Sequence, residues 1–142
     1  MKYVLDASVA LKWVLPETDS DKANALRNDF VSGAHELVAP DVFPSEVVHG
    51  LTRAERKNEI AVGDASLLLA DVLTTFPRLI PVVPHLIARA VDLSSSERHS
   101  AYDCLYMALA EAENCEFVTA DGSLLKKLGA KYGYLKPLAS LP

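Results

Sequence analysis

Four carboxylates stand where an acid needs a reason: Asp6, Glu46, Asp103 and Asp121. Asp6 stops the apolar opening Tyr3-Val4-Leu5, and the carboxyl end of a first strand is where open α/β sheets hold ligands. Glu46 lies within Val42-Phe43-x-x-Val47-Val48-x-x-Leu51, at the margin of an apolar stripe that turns by about 100° per residue. Asp103 adjoins Cys104 to Ala110, a run apolar on every helical face and therefore buried. A carboxylate there is costly unless paired, capped or bound to metal. Asp121 follows Phe117-Val118-Thr119. Each acid has an ordinary explanation. Asp6 is a helix cap, Glu46 a solvated helix residue, Asp103 the third position of a Ser100-x-x-Asp103 capping box, and Asp121 a turn residue before Gly122. Together they suggest more. Carboxylates that converge with no Lys or Arg between them repel, and a divalent cation relieves that repulsion. An all-oxygen donor set without Cys or His points to Mg²⁺ or Mn²⁺. Such an ion polarises a phosphoryl oxygen and activates water.

The elements that must position these acids follow from periodicity and punctuation. Strand 2–5 leads to a short helix over 8–15, ended by Pro16. A second helix spans 21–31, with Ala25, Leu26 and Phe30 at helical spacing and Gly33 closing it. Strand 37–39 stops at Pro40. Asp41 then caps a helix that has Pro44 in its first turn and runs to about Lys57. A helix over 64–75 turns Leu67, Leu68, Val72 and Leu73 inward. Strand 79–83 contains Pro81 and so belongs at an edge. Helix 86–93, a serine loop at 94–96, helix 100–113, strand 116–119, helix 123–128 capped by Gly129, and a last strand or tail over 134–138 complete the chain. Strands alternating with helices predict an α/β fold: a central, mostly parallel sheet of about five short strands flanked by helices in three layers. With no repeat or linker, residues 1–142 read as one domain. Asp6 and Asp121 then end strands at one edge, Asp103 opens a helix there, and Glu46 looks in from another.

Composition narrows the partners. Half of the residues are apolar and 23% are charged, with a net charge of −5. Binding a polyanion by charge alone is excluded, because that mode needs a basic chain. A nucleic-acid substrate would require local basic patches or a metal. Met1-Lys2 leads straight into the first strand, no signal peptide is expected, and no apolar run reaches membrane-spanning length. The two cysteines, Cys104 and Cys115, read as reduced thiols of a cytoplasmic protein.

Four segments carry a family resemblance. Val4-Leu5-Asp6-Ala7-Ser8-Val9-Ala10-Leu11-Lys12-Trp13, Pro40-Asp41-Val42-Phe43-Pro44-Ser45-Glu46-Val47, Ser100 through Ala110, and Phe117-Val118-Thr119-Ala120-Asp121 occur in order. They resemble the motifs of the PIN-domain ribonucleases, in particular the VapC-type toxins of toxin–antitoxin pairs. The resemblance implies a metal-dependent endoribonuclease. Asp6, Glu46, Asp103 and Asp121 would be its catalytic, metal-binding acids, with Mg²⁺ or Mn²⁺ as cofactor. Ser8 and Thr119 would be the accompanying hydroxyls. It further implies an RNA substrate, a cognate antitoxin and a homodimer. Gly122-Ser123 follows Asp121, so an extra acid found there in some members is absent, and one or two ions both remain open. Lys12, Arg98, Lys126 and Lys127 lie near the motifs and are candidates for the RNA backbone, against ordinary solvated charge. Trp13 and Tyr102 offer base-stacking faces, though core packing is the first expectation for both. His99 is a candidate proton carrier, a role the acid–metal scheme does not need.

Two other classes compete. A receiver-type phosphoacceptor domain shares the fold class and a late Lys-Pro pair, Lys136-Pro137. It requires paired acids after strand one, where Asp6 stands alone, and a haloacid-type phosphatase requires Asp-x-Asp where Asp6-Ala7-Ser8 stands. A non-catalytic interaction module of the same fold would not need all four acids.

Overall fold

The computed structural model describes residues 1–142. Its elements run in the order β1 (Lys2–Leu5), α1 (Ala7–Val14), α2 (Ser20–Val31), β2 (Glu36–Pro40), α3 (Phe43–Arg56), α4 (Asp64–Leu73), β3 (Arg78–Ile80), α5 (Pro84–Glu97), α6 (Ala101–Glu113), β4 (Glu116–Thr119), α7 (Gly122–Leu128) and β5 (Leu135–Pro137). The strands form one sheet in the order β3-β2-β1-β4-β5, every pair parallel. Helices flank it, as the alternating pattern predicts. Val4, Leu5, Val38, Ala39, Phe117 and Val118 are all fully buried. Consecutive strand residues can be apolar only because both faces of the sheet are covered.

The strand order positions the site. From β1 the chain moves outward to β2 and β3, then returns to lay β4 on the other side of β1. The carboxyl ends of β1 and β4 therefore flank a topological switch point, where crossovers leave in opposite directions and open a crevice. Asp6 follows β1, and Asp121 lies two residues beyond β4.

Four local expectations need correction. Asp41 does not cap α3. Its N–H joins the sheet by donating to the Ile80 carbonyl at 3.0 Å, and the helix begins at Phe43 behind Val42 with Pro44 in the first turn. On α4 the buried stripe is Ala65, Leu68, Leu69 and Val72, a regular helical spacing, which leaves Leu67 and Leu73 71% and 50% exposed. Ala25 is likewise exposed on α2, whose buried residues are Ala23 and Leu26. Residues 94–96 are not a loop but the last turns of α5, where the Ser94 hydroxyl donates to the His99 carbonyl at 2.6 Å. The break comes at Arg98, in the left-handed region with φ of 55°. β3 does lie at an edge, and it stops before Pro81.

Candidate active site

Each of the four acids starts a helix. Asp6 is the N-cap of α1, its Oδ1 accepting from the Ser8 N–H at 3.1 Å and from the Ser8 hydroxyl. Asp121 is the N-cap of α7, accepting from the N–H groups of Ser123 and Leu124 at 2.9 and 3.2 Å. Glu46 and Asp103 occupy the first turns of α3 and α6. The ordinary explanation for Asp6 is thus correct, while Asp121 is a helix cap rather than the expected turn residue; both caps coexist with the gathering. In a parallel sheet the helices that follow strands begin at the carboxyl edge, and their positive ends partly offset carboxylates there. The Ser100 capping box forms only by half. Ser100 accepts from the Tyr102 N–H at 3.3 Å, but Asp103 turns its carboxylate to His99 Nε2 at 2.6 Å.

A hydroxyl network ties the two strand ends together. Thr119 Oγ1 donates to Asp6 Oδ2 at 2.6 Å, and Ser8 Oγ lies 3.3 Å from Thr119 Oγ1. The Ala120 N–H donates to Ser8 Oγ at 3.0 Å, and the Asp121 N–H to Thr119 Oγ1 at 3.1 Å. Ser8 and Thr119 therefore fix the orientation of Asp6 and couple it to the backbone that carries Asp121.

The electrostatics of the cluster are strained. Asp6 is 6% exposed. Burial pushes its carboxyl up to about 7; the Ser8 and Thr119 hydrogen bonds oppose that shift, while the charges of Asp103 and Asp121 add to it. Burial also raises Asp103, with His99 opposing and Asp121 adding. Glu46 is raised by burial, opposed by the Tyr106 phenol and then reinforced by Asp103. No Lys or Arg pairs with any of these four acids; the one ion pair among them is His99 with Asp103. His99 is the residue sequence reasoning undervalued, and its signal was the i,i+4 spacing to Asp103.

The donor set suits a hard divalent cation: carboxylate and hydroxyl oxygens without thiolate. Glu46 Oε1 is buried with no hydrogen-bond partner. No three of the side chains already stand in ligating geometry. The fit is therefore one of chemistry and charge.

The flanking candidates separate. Trp13 is core: its Nε1–H donates to the Ala23 carbonyl at 3.0 Å, and the Arg27 guanidinium lies over its ring. Tyr102 is not core. It is 60% exposed and lines a groove with Ser45, Glu46 and His49. Its place in the first turn of α6 precedes the buried run that begins at Cys104. Lys12 is largely covered and lies 3.7 Å from Glu17, and Lys127 Nζ donates to the Arg98 carbonyl. Arg98 and Lys126 are exposed.

The PIN domain matches residues 3–131 of this chain. The chain belongs to the PIN-domain family. Among curated relatives of this PIN protein, the VapC ribonuclease Mb0985 of Mycobacterium bovis is 33% identical over 118 residues, covering 83% of this chain and 84% of that one. Ribonuclease VapC3 of Pyrobaculum aerophilum is 30% identical over 131 residues, 92% of this chain and 97% of the relative. The crystal structure of PAE2754 from Pyrobaculum aerophilum superposes with a TM-score of 0.68 at 22% identity, covering 99% of this chain and 94% of that one. VapBC2 from Rickettsia felis, bound to a DNA fragment from their promoter, gives 0.66 at 14% identity over 96% and 98%. At those identities the likeness is one of fold. The receiver-type alternative falls away with the PIN match. Lys136, the residue that suggested it, pairs with Glu116 at 3.3 Å.

Proposed function

We propose that this PIN protein is a divalent-metal-dependent endoribonuclease of the VapC type, the toxin half of a toxin–antitoxin pair, with residues 1–142 acting as one unit in the cytoplasm. One observation carries the reading: four helix-starting carboxylates gather at the switch point without a Lys or Arg counter-ion, in a chain one-third identical to VapC ribonucleases. Asp6, Asp103 and Asp121 would hold Mg²⁺ or Mn²⁺, and Glu46 would complete the shell or orient the attacking water. When bound, the ion supplies Lewis-acid polarisation of the scissile phosphate and a more acidic water. Ser8 and Thr119 keep both Asp6 oxygens directed. His99 holds the Asp103 carboxylate in place through its Nε2. Exposed Arg98 and Lys126 meet the RNA backbone, and Tyr102 presents a face for a base beside Glu46. No helix is long and apolar enough to cross a membrane. Antitoxin binding and homodimer formation would use exposed apolar side chains, of which Val48 and Leu67 on α3 and α4, and Ile87 and Val91 on α5, are available.

Cleavage of a mixed RNA pool tests the reading, run with Mn²⁺, with EDTA, and with Asp6→Asn. Fragments that vanish with EDTA and with the variant are expected. Cleavage that survives both would overturn the carboxylate–metal assignment.

A further inference from the structure

Two buried side-chain polar atoms in this protein lack any hydrogen-bond partner, and both belong to one place: Glu46 Oε1 and the Tyr106 hydroxyl. Native interiors leave few such atoms, and each asks for an explanation. Tyr106 is fully buried in the middle of α6, one turn beyond Asp103, and its ring stacks on Phe117 of β4 with centroids 5.6 Å apart and planes 18° from parallel. Packing thus fixes the ring and leaves only the O–H to rotate. The phenol and the Glu46 carboxylate are neighbours, yet the two do not meet hydrogen-bond geometry. A core that needed only the bulk of the ring would be better served by Phe, because an unpartnered buried hydroxyl is destabilising.

We infer that Tyr106 is the positioning residue for Glu46: the phenol donates to one carboxylate oxygen of Glu46 when Glu46 turns to serve the acid site, and so fixes the direction of its other oxygen. This rests on the proposed metal site and adds to it a donor on a different element, rigidly held from the sheet side. It also explains why Glu46 sits in the first turn of α3 with no capping partner of its own. The phenol takes the place that His99 fills for Asp103 and that Ser8 and Thr119 fill for Asp6. Each carboxylate that reaches the site from a helix thereby has a dedicated donor behind it, and Asp121 has two backbone N–H groups.

The test is Mn²⁺ titration by calorimetry of four proteins: wild type, Tyr106→Phe, Glu46→Gln and the double variant, each with a metal-free thermal melt. Outer-shell donors typically govern metal affinity by roughly 10- to 100-fold. Tyr106→Phe should weaken Mn²⁺ binding by that order while its metal-free melting temperature holds or rises, because the change deletes an unpartnered hydroxyl. In the Glu46→Gln background the same change should weaken binding no further. Wild-type affinity in Tyr106→Phe, or equal losses in both backgrounds, would overturn the inference and leave the metal site standing. A wild type that binds no Mn²⁺ would overturn the metal site itself, and this inference with it.

Discussion

Helix α6 carries acids at both ends, and the two ends obey opposite rules. At its start, Asp103 is raised by burial, and His99 does not bring it back. At its end, burial also pushes Glu111 up, but the Arg89 and Tyr134 hydrogen bonds more than offset it and the carboxyl is held low. The helix dipole alone predicts the reverse, since it favours an acid at the start and opposes one at the end. What differs is the company. At the amino edge of the sheet, Glu36 pairs with Arg78 at 2.8 Å, Glu113 with Lys2 and Arg78 at 3.8 Å, and Glu116 with Lys136 at 3.3 Å. At the carboxyl edge, no Lys or Arg pairs with Asp6, Glu46, Asp103 or Asp121. A protein selected for stability alone would treat the two edges alike. One edge is compensated by its own side chains, and the other is not, which is the condition the proposed cation site requires.

Substitutions at matched positions sharpen the contrast. Asp103→Asn should abolish RNA cleavage, a loss above about 100-fold because a ligand counts for more than the outer-shell groups that govern 10- to 100-fold. Its metal-free melting temperature near pH 8 should nevertheless equal or exceed wild type. Glu113→Gln, at the other end of the same helix, should leave cleavage unchanged and move stability by no more than about 0.5 kcal/mol, as for a partly exposed pair. If the two variants behaved alike in a fluorogenic RNA assay, the division between edges would fail.

Thr119→Val comes next. It removes the donor to Asp6 Oδ2 and the acceptor of the Asp121 N–H in one change. Cleavage should fall by roughly 10- to 100-fold, the range for groups that orient a ligand, and extra Mn²⁺ should recover part of it. Tyr102→Ala should act on substrate rather than metal. A lost base stack is worth about 1–3 kcal/mol, so RNA affinity should drop while Mn²⁺ affinity stays. Filter binding in Ca²⁺ would separate the two.

Much of this was legible in the chain before any coordinates. Strand β4 was readable to the residue because Phe117-Val118-Thr119 lies between Glu116 and the turn at Asp121-Gly122. The acids were legible as candidates because Asp6 and Asp121 follow apolar strands, Asp103 adjoins a buried run and Glu46 sits at the margin of an apolar stripe. The rest depended on distance in space. The Thr119–Asp6 bond joins residues 113 positions apart, and no local pattern announces it. Tyr102 was misjudged because its helix is apolar all round only from Cys104 onward, and a residue in the first turn can face outward. The inward face of α4 was misjudged because apolarity alone does not choose a face: at about 100° per residue Ala65, Leu68, Leu69 and Val72 share one narrow face, while Leu67 and Leu73 fall outside it.

The most direct test is a set of thermal melts across pH 4 to 8, with and without Mn²⁺. Asp6 titrates near 7 when folded and near 3.9 when unfolded. Between those values the folded state binds a proton that the unfolded chain does not, so the contribution of this group is full below about pH 4 and is lost as pH rises through about 7. Glu46 and Asp103 are raised as well and act with the same sign. The metal-free protein should therefore lose stability across that window, by at most about 1.4 kcal/mol per pH unit for each such group. Mn²⁺ should restore it at the alkaline end, and Asp6→Asn should flatten the slope and remove the response to Mn²⁺. A metal-free protein that grows more stable from pH 4 to 8, or one whose melting temperature ignores Mn²⁺, would contradict an edge built to be compensated by a cation.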